Sequence, residues 1–329
     1  MIRRIRWLIV GACVFLILVA GLVTWRLHVR RLDAETARSK SEAARRLAEE
    51  AAREAAEAAA REAEASAKRG EVYRQFGIDQ PGTRLFVPLE SQLIACNQMR
   101  AKLGEKLFND RRLTGSRVSQ GLVCGACHHL GAGGTDSKIH HGVLTRPVYN
   151  APFATSYLHD GSLTNLHETV TRMIEHPHFS GGGPLASVTA RLAEDAALSN
   201  QFQFVYKDGL AGTNVVDAVT EYMKTLITAN TAYDFWCAGD MGRLSPDAQR
   251  GSEVFLSARC MDCHDGPVLG ARKVSRGRKV PALRGLGLRK AYLTEGKIKD
   301  LNAVVPLMPG GEALPPKDRK SLVEFLKVL

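Results

Sequence analysis

Two five-residue runs, Cys124-Gly125-Ala126-Cys127-His128 and Cys260-Met261-Asp262-Cys263-His264, constrain this 329-residue chain more than any other feature. Each is a CxxCH motif, the pattern of c-type haem attachment. Two thiols three positions apart can each form a thioether to a haem vinyl group, and the next residue supplies an imidazole to the iron. The alternative is a zinc site made from the two CxxC pairs. The pairs lie well over a hundred residues apart, far beyond a zinc-ribbon loop, and a histidine follows both. Two covalently bound haem c groups are therefore expected, with His128 and His264 as proximal ligands. Such attachment takes place outside the cytoplasm, so the haem-bearing part is expected in the periplasm.

The chain repeats itself after each motif. Residues 157–173 align without gaps on residues 292–308 at an offset of 135, and the motifs are offset by 136. Tyr157 matches Tyr292, Gly161 matches Gly296, Leu166 matches Leu301 and Met173 matches Met308. A two-copy duplication is the simplest account. Each copy carries one Met, 45 or 44 residues after its proximal His. A lone Met is normally a core filler. Two at equivalent positions of two haem repeats point to thioether ligation on the second axial face. The expected iron ligands are thus His128 with Met173, and His264 with Met308.

The first third has a different character. Residues 7–25 form an uncharged apolar run bounded by Trp7 and Trp25, long enough to cross about 30 Å of hydrocarbon as a helix. Arginines flank it on both sides, so the positive-inside rule is nearly balanced. A cleaved signal peptide fits less well, because the run is long and no small-x-small cleavage site follows it. Val10-Gly11-Ala12-Cys13 faintly resembles a lipoprotein cleavage site, yet the apolar stretch continues well past Cys13. Residues 32–69 are rich in Ala, Glu and Arg and hold neither Gly nor Pro, which predicts a helix. Glu42/Arg46, Glu49/Arg53, Glu57/Arg61 and Glu64/Lys68 are i,i+4 pairs in the favoured order. With Leu32 and Leu47 its only large aliphatics, this helix reads as a solvated spacer. Weak Ala-mediated self-association into a homodimer is the alternative.

The expected fold is therefore mainly α: two cytochrome c-like haem domains preceded by a single transmembrane helix and a long helical spacer. The expected segments are a membrane anchor over 1–31, with its span at 7–25, a spacer over 32–70, and haem domains over 71–240 and 241–329. Pro315-Pro316 followed by residues 317–329 predicts a terminal amphipathic helix with Leu322, Phe325 and Leu326 on one face. A composition of 45% hydrophobic and 24% charged residues excludes wholesale disorder, and seven cysteines are too few for a disulfide scaffold. The net charge of +11 is spread along the chain: residues 1–70 hold 14 Lys/Arg against 9 Asp/Glu, the rest 31 against 25. No dense basic stripe marks a nucleic-acid partner. Cys96 and Cys237 are the remaining thiols beyond residue 25, free or joined in a disulfide. Gly181 to Pro184 is a flexible loop with no phosphate-binding pattern.

From Leu103 onward the sequence resembles the bacterial di-haem cytochrome c peroxidase and MauG superfamily. The likeness lies in Leu103-Gly104-Glu105-Lys106-Leu107-Phe108, Gly133-Gly134-Thr135-Asp136, the passage from Asn230 through Trp236, Leu244-Ser245-Pro246, Arg250-Gly251 and Val280-Pro281-Ala282-Leu283-Arg284. The resemblance implies an all-helical pair of cytochrome c-like domains. Electrons would enter from a small periplasmic donor, such as a mono-haem cytochrome or a cupredoxin, through the C-terminal haem. Peroxide would be reduced at the N-terminal one. Met308 matches the family's peroxidases, where MauG proteins carry Tyr.

Several positions depart from the family. His159 stands where an inter-haem Trp is usual. Thr169 and Phe179 align where peroxidases carry a Gln and a Glu over the first haem, leaving Glu168, Glu175, His176 and His178 as substitute acids. Met173 would close the face that peroxide needs. Arg289 and Ala291 occupy the positions of a Thr and a Pro in the family's calcium site, so calcium is not carried over. His140 and His141 lie near the family's displaceable His. A peroxidase-type oxidoreductase is the leading expectation. The alternatives are an electron-transfer cytochrome with two six-coordinate haems, and MauG-like oxidation of a partner protein.

Overall fold

The computed structural model describes residues 2–75, 86–89, 94–114, 123–177, 181, 183–275 and 277–329; the side chains of 2–15, 47, 55, 58, 59 and 61–75 lie outside that description. The chain divides into two compact units, residues 1–68 and 69–329.

The first unit is formed by residues 2–68 of α1 (Ile2–Gln75), one unbroken helix where an anchor and a spacer were expected as separate segments. It continues through Gly70, a position that weakens a helix by about 1 kcal/mol without stopping it. Among the described residues, no helix is long and apolar enough to cross a membrane. The expected span falls partly on residues 7–15, whose side chains are not described, and Leu16 to Trp25 is half the length of a crossing helix. Among the described side chains, ion pairs run from Arg38 to Glu42 at 3.7 Å, Arg45 to Glu49 at 2.9 Å and Arg53 to Glu57 at 3.3 Å, in the opposite order to the expected Glu42/Arg46 and Glu49/Arg53; the expected Glu57/Arg61 and Glu64/Lys68 pairs lie outside the described side chains. Each of these glutamates has an Arg four residues away on both sides. At such exposure either pair contributes only about 0.3–0.5 kcal/mol, so local side-chain packing decides.

The second unit begins its helices with α2 (Gln98–Phe108), followed by the single turn α3 (Cys124–Cys127) and the hairpin β1 (Ile139–His140) and β2 (Val143–Leu144). Then come α4 (Leu166–Glu175), α5 (Leu185–Ala193), α6 (Ala196–Val205), α7 (Gly212–Thr225) and α8 (Ala232–Cys237). The second repeat supplies α9 (Pro246–Ser257), the hairpin β3 (Val274–Ser275) and β4 (Arg278–Lys279), α10 (Leu301–Val304) and α11 (Pro316–Val328). Short polar residues start these helices as they should. Asn97 Oδ1 accepts from the amides of Met99 and Arg100, Asn165 caps α4, and Thr231 with Asp234 forms a capping box on α8.

Each repeat crosses the helix before its haem motif against a later helix, and a glycine makes the crossing. A Cβ on Gly104 of α2 would collide with the Ala218 carbonyl of α7, and one on Gly251 of α9 with the Ser321 carbonyl of α11. Two apolar cores result. One gathers Leu103, Leu107, Phe108, Val215, Val219 and Phe202. The other gathers Phe255, Leu322, Phe325 and Leu326, and also takes in Phe86, Tyr233 and Trp236 from ahead of residue 240. The amphipathic face expected for the last helix is the buried one.

The duplication is visible residue by residue. Tyr157 bridges Leu163 and Tyr292 bridges Ile298; Leu158 and Leu293 share a φ of 63° and 62°. The repeats also clasp one another reciprocally. The Leu144 amide donates to the Thr294 carbonyl at 3.1 Å, and the Lys279 amide to the His159 carbonyl at 2.9 Å. Both donors and both acceptors are 135 residues apart, so the repeats are related by a pseudo-twofold axis passing between the hairpins.

Candidate functional site

Both CxxCH motifs fold as one tight helical turn closed by their own backbone. The His128 amide donates to the Cys124 carbonyl at 2.9 Å, and the His264 amide to the Cys260 carbonyl at 2.8 Å. This turn brings the two thiols, three positions apart, and the imidazole that follows the second into one short loop. Burial raises the Cys124 and Cys260 thiols to about 11, leaving both protonated at neutral pH. Burial lowers both imidazoles from their usual value, so His128 and His264 are neutral bases. A neutral imidazole is the form that binds a metal. The Nδ1 atoms of both histidines are buried with no hydrogen-bond partner.

Cys124, Cys127 and His128 line a cavity of about 320 Å³, and Met173 lines it as well. The volume falls in the range of cofactor and ligand pockets. Met173 reaches it from the last turns of α4, whose start is fixed by Asn165. The residues present therefore fit a haem at the first motif: two protonated thiols, one neutral imidazole and a thioether on a single mostly apolar cavity. The zinc alternative needs both CxxC pairs together. Among the described residues, the metal-ligating cluster that forms is Cys127, Asp136 and His140, which involves one of the two pairs only.

The second motif is set differently. Cys260 packs against the C-terminal core, as Cys124 packs against the first. Met308 is half-buried and does not line the cavity. Its backbone also differs from that of Met173. Pro306 has no amide hydrogen to donate, so the segment breaks after α10 into a 3-10 turn, Val305–Leu307, and Met308 is extended.

The substitute acids are not on the cavity. Glu168 is exposed, and its amide binds the Asn165 cap. Glu175 is exposed and accepts from the Leu185 amide at 3.0 Å, closing the start of α5. Neither they nor His176 line the cavity. His178 and Phe179 lie outside the described residues. Thr169 does line it, with its hydroxyl turned to the Asn165 carbonyl. No Asp or Glu contributes to the lining among the described residues. His140 is there, 2.7 Å from Asp136, while His141 is exposed. Cys96 and Cys237 are both free thiols, and Cys237 is buried in the second core, so they form no disulfide.

Sequence reasoning singled out His159 but missed its surroundings. The Nε of Arg146 lies 3.2 Å from His159 Nδ1. Burial first, and Arg146 second, pushes His159 down to about 4. Lys279 and Arg289 share the same wall. Burial, with Arg146 adding to it, lowers Lys279 to about 8 and Arg289 to about 10. A signal was available: these positions break the repeat, since Arg146, Lys279 and Arg289 correspond to Pro281, Leu144 and Ala154.

A helical body carrying two CxxCH turns about a pseudo-twofold axis defines the di-haem class of c-type cytochrome folds. Comparison with known proteins agrees. The family described as di-haem cytochrome c peroxidase matches residues 98–242. The chain is 28% identical to the cytochrome c peroxidase Ccp of Escherichia coli over 279 residues, 72% of this chain and 59% of that protein. It is 26% identical to the cytochrome c551 peroxidase of Pseudomonas aeruginosa over 74% of this chain and 84% of the relative. It is also 26% identical to the methylamine utilization protein MauG of Methylophilus methylotrophus, over 63% and 71%. Among solved structures, a MauG-like protein associated with microbial copper homeostasis superposes with a TM-score of 0.60 at 18% identity, covering 74% of this chain and 92% of the other. Residues 98–242 thus match the di-haem cytochrome c peroxidase family, and the chain is similar to both cytochrome c peroxidases and MauG proteins.

Proposed function

We propose that this protein is a periplasmic di-haem c-type cytochrome of the peroxidase type, tethered to the inner membrane by residues 7–25. The convergence of Cys124, Cys127, His128 and Met173 on one cavity carries this reading. Cys124 and Cys127 would hold the first haem and His128 would supply its imidazole; Cys260, Cys263 and His264 would do the same for the second, with Met308 as the thioether donor. The halves at 71–240 and 241–329 are the two haem domains. When bound, the haems supply one-electron redox couples and the iron at which peroxide meets electrons. The reaction balances as hydrogen peroxide plus two electrons and two protons giving two waters, the electrons coming from a small periplasmic donor. The tether is supported by the apolar run itself, in which Leu16, Ile17 and Leu18 are 63–70% exposed in the chain alone.

A second reading is an electron-transfer cytochrome without peroxidase activity. It is favoured by Met173 on the cavity and by the absence of carboxylates from its described lining. A positioned acid contributes typically about 10²–10⁴-fold to proton transfer. Beside the residues assigned to the haem, the described lining offers the imidazoles of His140 and His159, the Lys279 ammonium and the Tyr149 and Tyr157 phenols as titratable side chains. Spectra of the fully oxidised and half-reduced holoprotein separate the two. A first haem that becomes high-spin on half-reduction and responds to peroxide supports the peroxidase. A first haem that stays low-spin in both states, unperturbed by peroxide, leaves electron transfer alone.

A further inference from the structure

The wall of the cavity where the two repeats meet is asymmetric in charge. Arg146, Lys279 and Arg289 all line it, and none has a carboxylate within ion-pair distance among the described residues. Arg146 spends its donors on His159, with Nε on the ring and Nη2 on the carbonyl at 3.4 Å. Arg289 Nη2 donates to the carbonyls of Ala282 at 2.9 Å and Arg284 at 3.0 Å, while its Nε is buried with no partner. Lys279 Nζ lies 5.2 Å from the centroid of the Tyr157 ring. His159, held neutral, adds no charge of its own at pH 7.

Three unpaired cations in a partly buried wall are costly unless something negative completes them. The duplication sharpens the point. In the other repeat the same positions are Pro281, Leu144 and Ala154, so nothing in the shared haem-binding architecture requires a cation at any of them. Arg146 from the first repeat and Lys279 and Arg289 from the second meet on the cavity that also carries Cys124, Cys127 and His128, and their uncharged counterparts line it too.

We propose that Arg146, Lys279 and Arg289 form a carboxylate cradle that takes the propionates of the haem tethered at Cys124 and Cys127. The proposal rests on the haem reading above. The cradle would take the haem carboxylates beside the place where the Lys279 amide clasps the His159 carbonyl. Two guanidinium groups provide planar donors matched to carboxylates, and the lysine provides a point charge. Positive charge beside a haem disfavours its oxidised state, so the cradle raises the reduction potential of the first haem relative to the same haem without it.

The test uses the full-length holoprotein. Intact mass and pyridine haemochrome spectra first establish two haems per chain; fewer than two in the unaltered protein overturns the haem reading, independently of the cradle. Potentials of both haems are then measured in Lys279→Gln, Arg289→Gln and, against unfolding of the Gln variants, Lys279→Arg. The expected result is a lower first-haem potential in both Gln variants, a smaller change at the second haem, and recovery in Lys279→Arg. Lys297→Gln, 79% exposed at its side chain, should leave both potentials in place. Unmoved potentials in variants that keep both haems overturn the cradle. The competing source of a carboxylate-like anion is solution: if acetate or inorganic phosphate at fixed ionic strength shifts the first-haem potential, the cradle is open to free anions and the propionate assignment fails.

Discussion

The Lys279 amide donates to the His159 carbonyl at 2.9 Å, and its counterpart 135 residues earlier, the Leu144 amide, donates to Thr294 at 3.1 Å. This pair of clasps fixes the two repeats face to face. Gly161 and Gly296 lie under the opposing hairpins with φ of 75° and 60°. A Cβ at Gly161 would come 2.6 Å from Val274 Cγ2, and one at Gly296 2.9 Å from Leu144 Cδ1. Alanine at either therefore adds left-handed backbone strain to a steric conflict. Each substitution should lower stability by about 1–3 kcal/mol in denaturant titrations. An effect confined to one glycine would contradict the reciprocal arrangement.

Arg284 and Asp234 form an ion pair at 2.7 Å with side chains 0% and 1% exposed. Asp234 also accepts from the amides of Leu89 and Thr231. Removing one partner strands the other charge. Asp234→Ala should cost about 3–5 kcal/mol, and Arg284→Met a comparable amount, while the double variant should lose less than the sum. Burial would raise the Asp234 carboxyl, but its bonds to Arg284 and Thr231 outweigh burial and hold it below the usual carboxylate range. The stabilisation is therefore complete above about pH 4 and declines as pH falls through the depressed folded value. A double variant with an unchanged acid limb in its stability profile would remove Asp234 as its source.

His159 acts in the same sense over a higher pH window. Burial and Arg146 hold it at about 4, against 6.5 for an ordinary imidazole. Between these values the unfolded chain binds the extra proton, so stability rises with pH across that window and is flat above it. His159→Gln should flatten the rise between pH 4 and 6.5. Arg146→Gln should shrink it, since burial remains. Both are readable by thermal unfolding at constant ionic strength.

Met173 lines the cavity with His128, and if it ligates the first haem its loss has a direct optical readout. Met173→Ala should convert the oxidised first haem toward a high-spin spectrum and permit binding of an added small ligand such as imidazole. An unchanged spectrum would return Met173 to the role of a packing residue in α4.

Glycine at the helix crossings offers a fold-level check. Gly104→Ala and Gly251→Ala each force apart two helices whose backbones touch, α2 from α7 and α9 from α11. Each should destabilise its own half of the second unit by about 1–3 kcal/mol, with hydrogen exchange rising first in that half.

The haem motifs, the duplication, the long helix and the buried face of α11 were legible in the sequence because they depend on local order. A CxxCH turn closes on its own backbone, helix-forming residues propagate a helix, and a repeat is a comparison of the chain with itself. One local reading was left open: the sense of the ion pairs on α1 was undetermined because each of Glu42, Glu49 and Glu57 has two equivalent arginines. What only the tertiary structure decided is what the pseudo-twofold axis brings together. Arg146, His159, Lys279 and Arg289 are separated by up to 143 residues, and no periodicity links them. They meet because two copies of one fold face each other through their hairpins. The charges, one from the first copy and two from the second, can be recognised as a site only when the two copies are seen to meet, with the uncharged counterparts Leu144, Ala154 and Pro281 lining the same cavity.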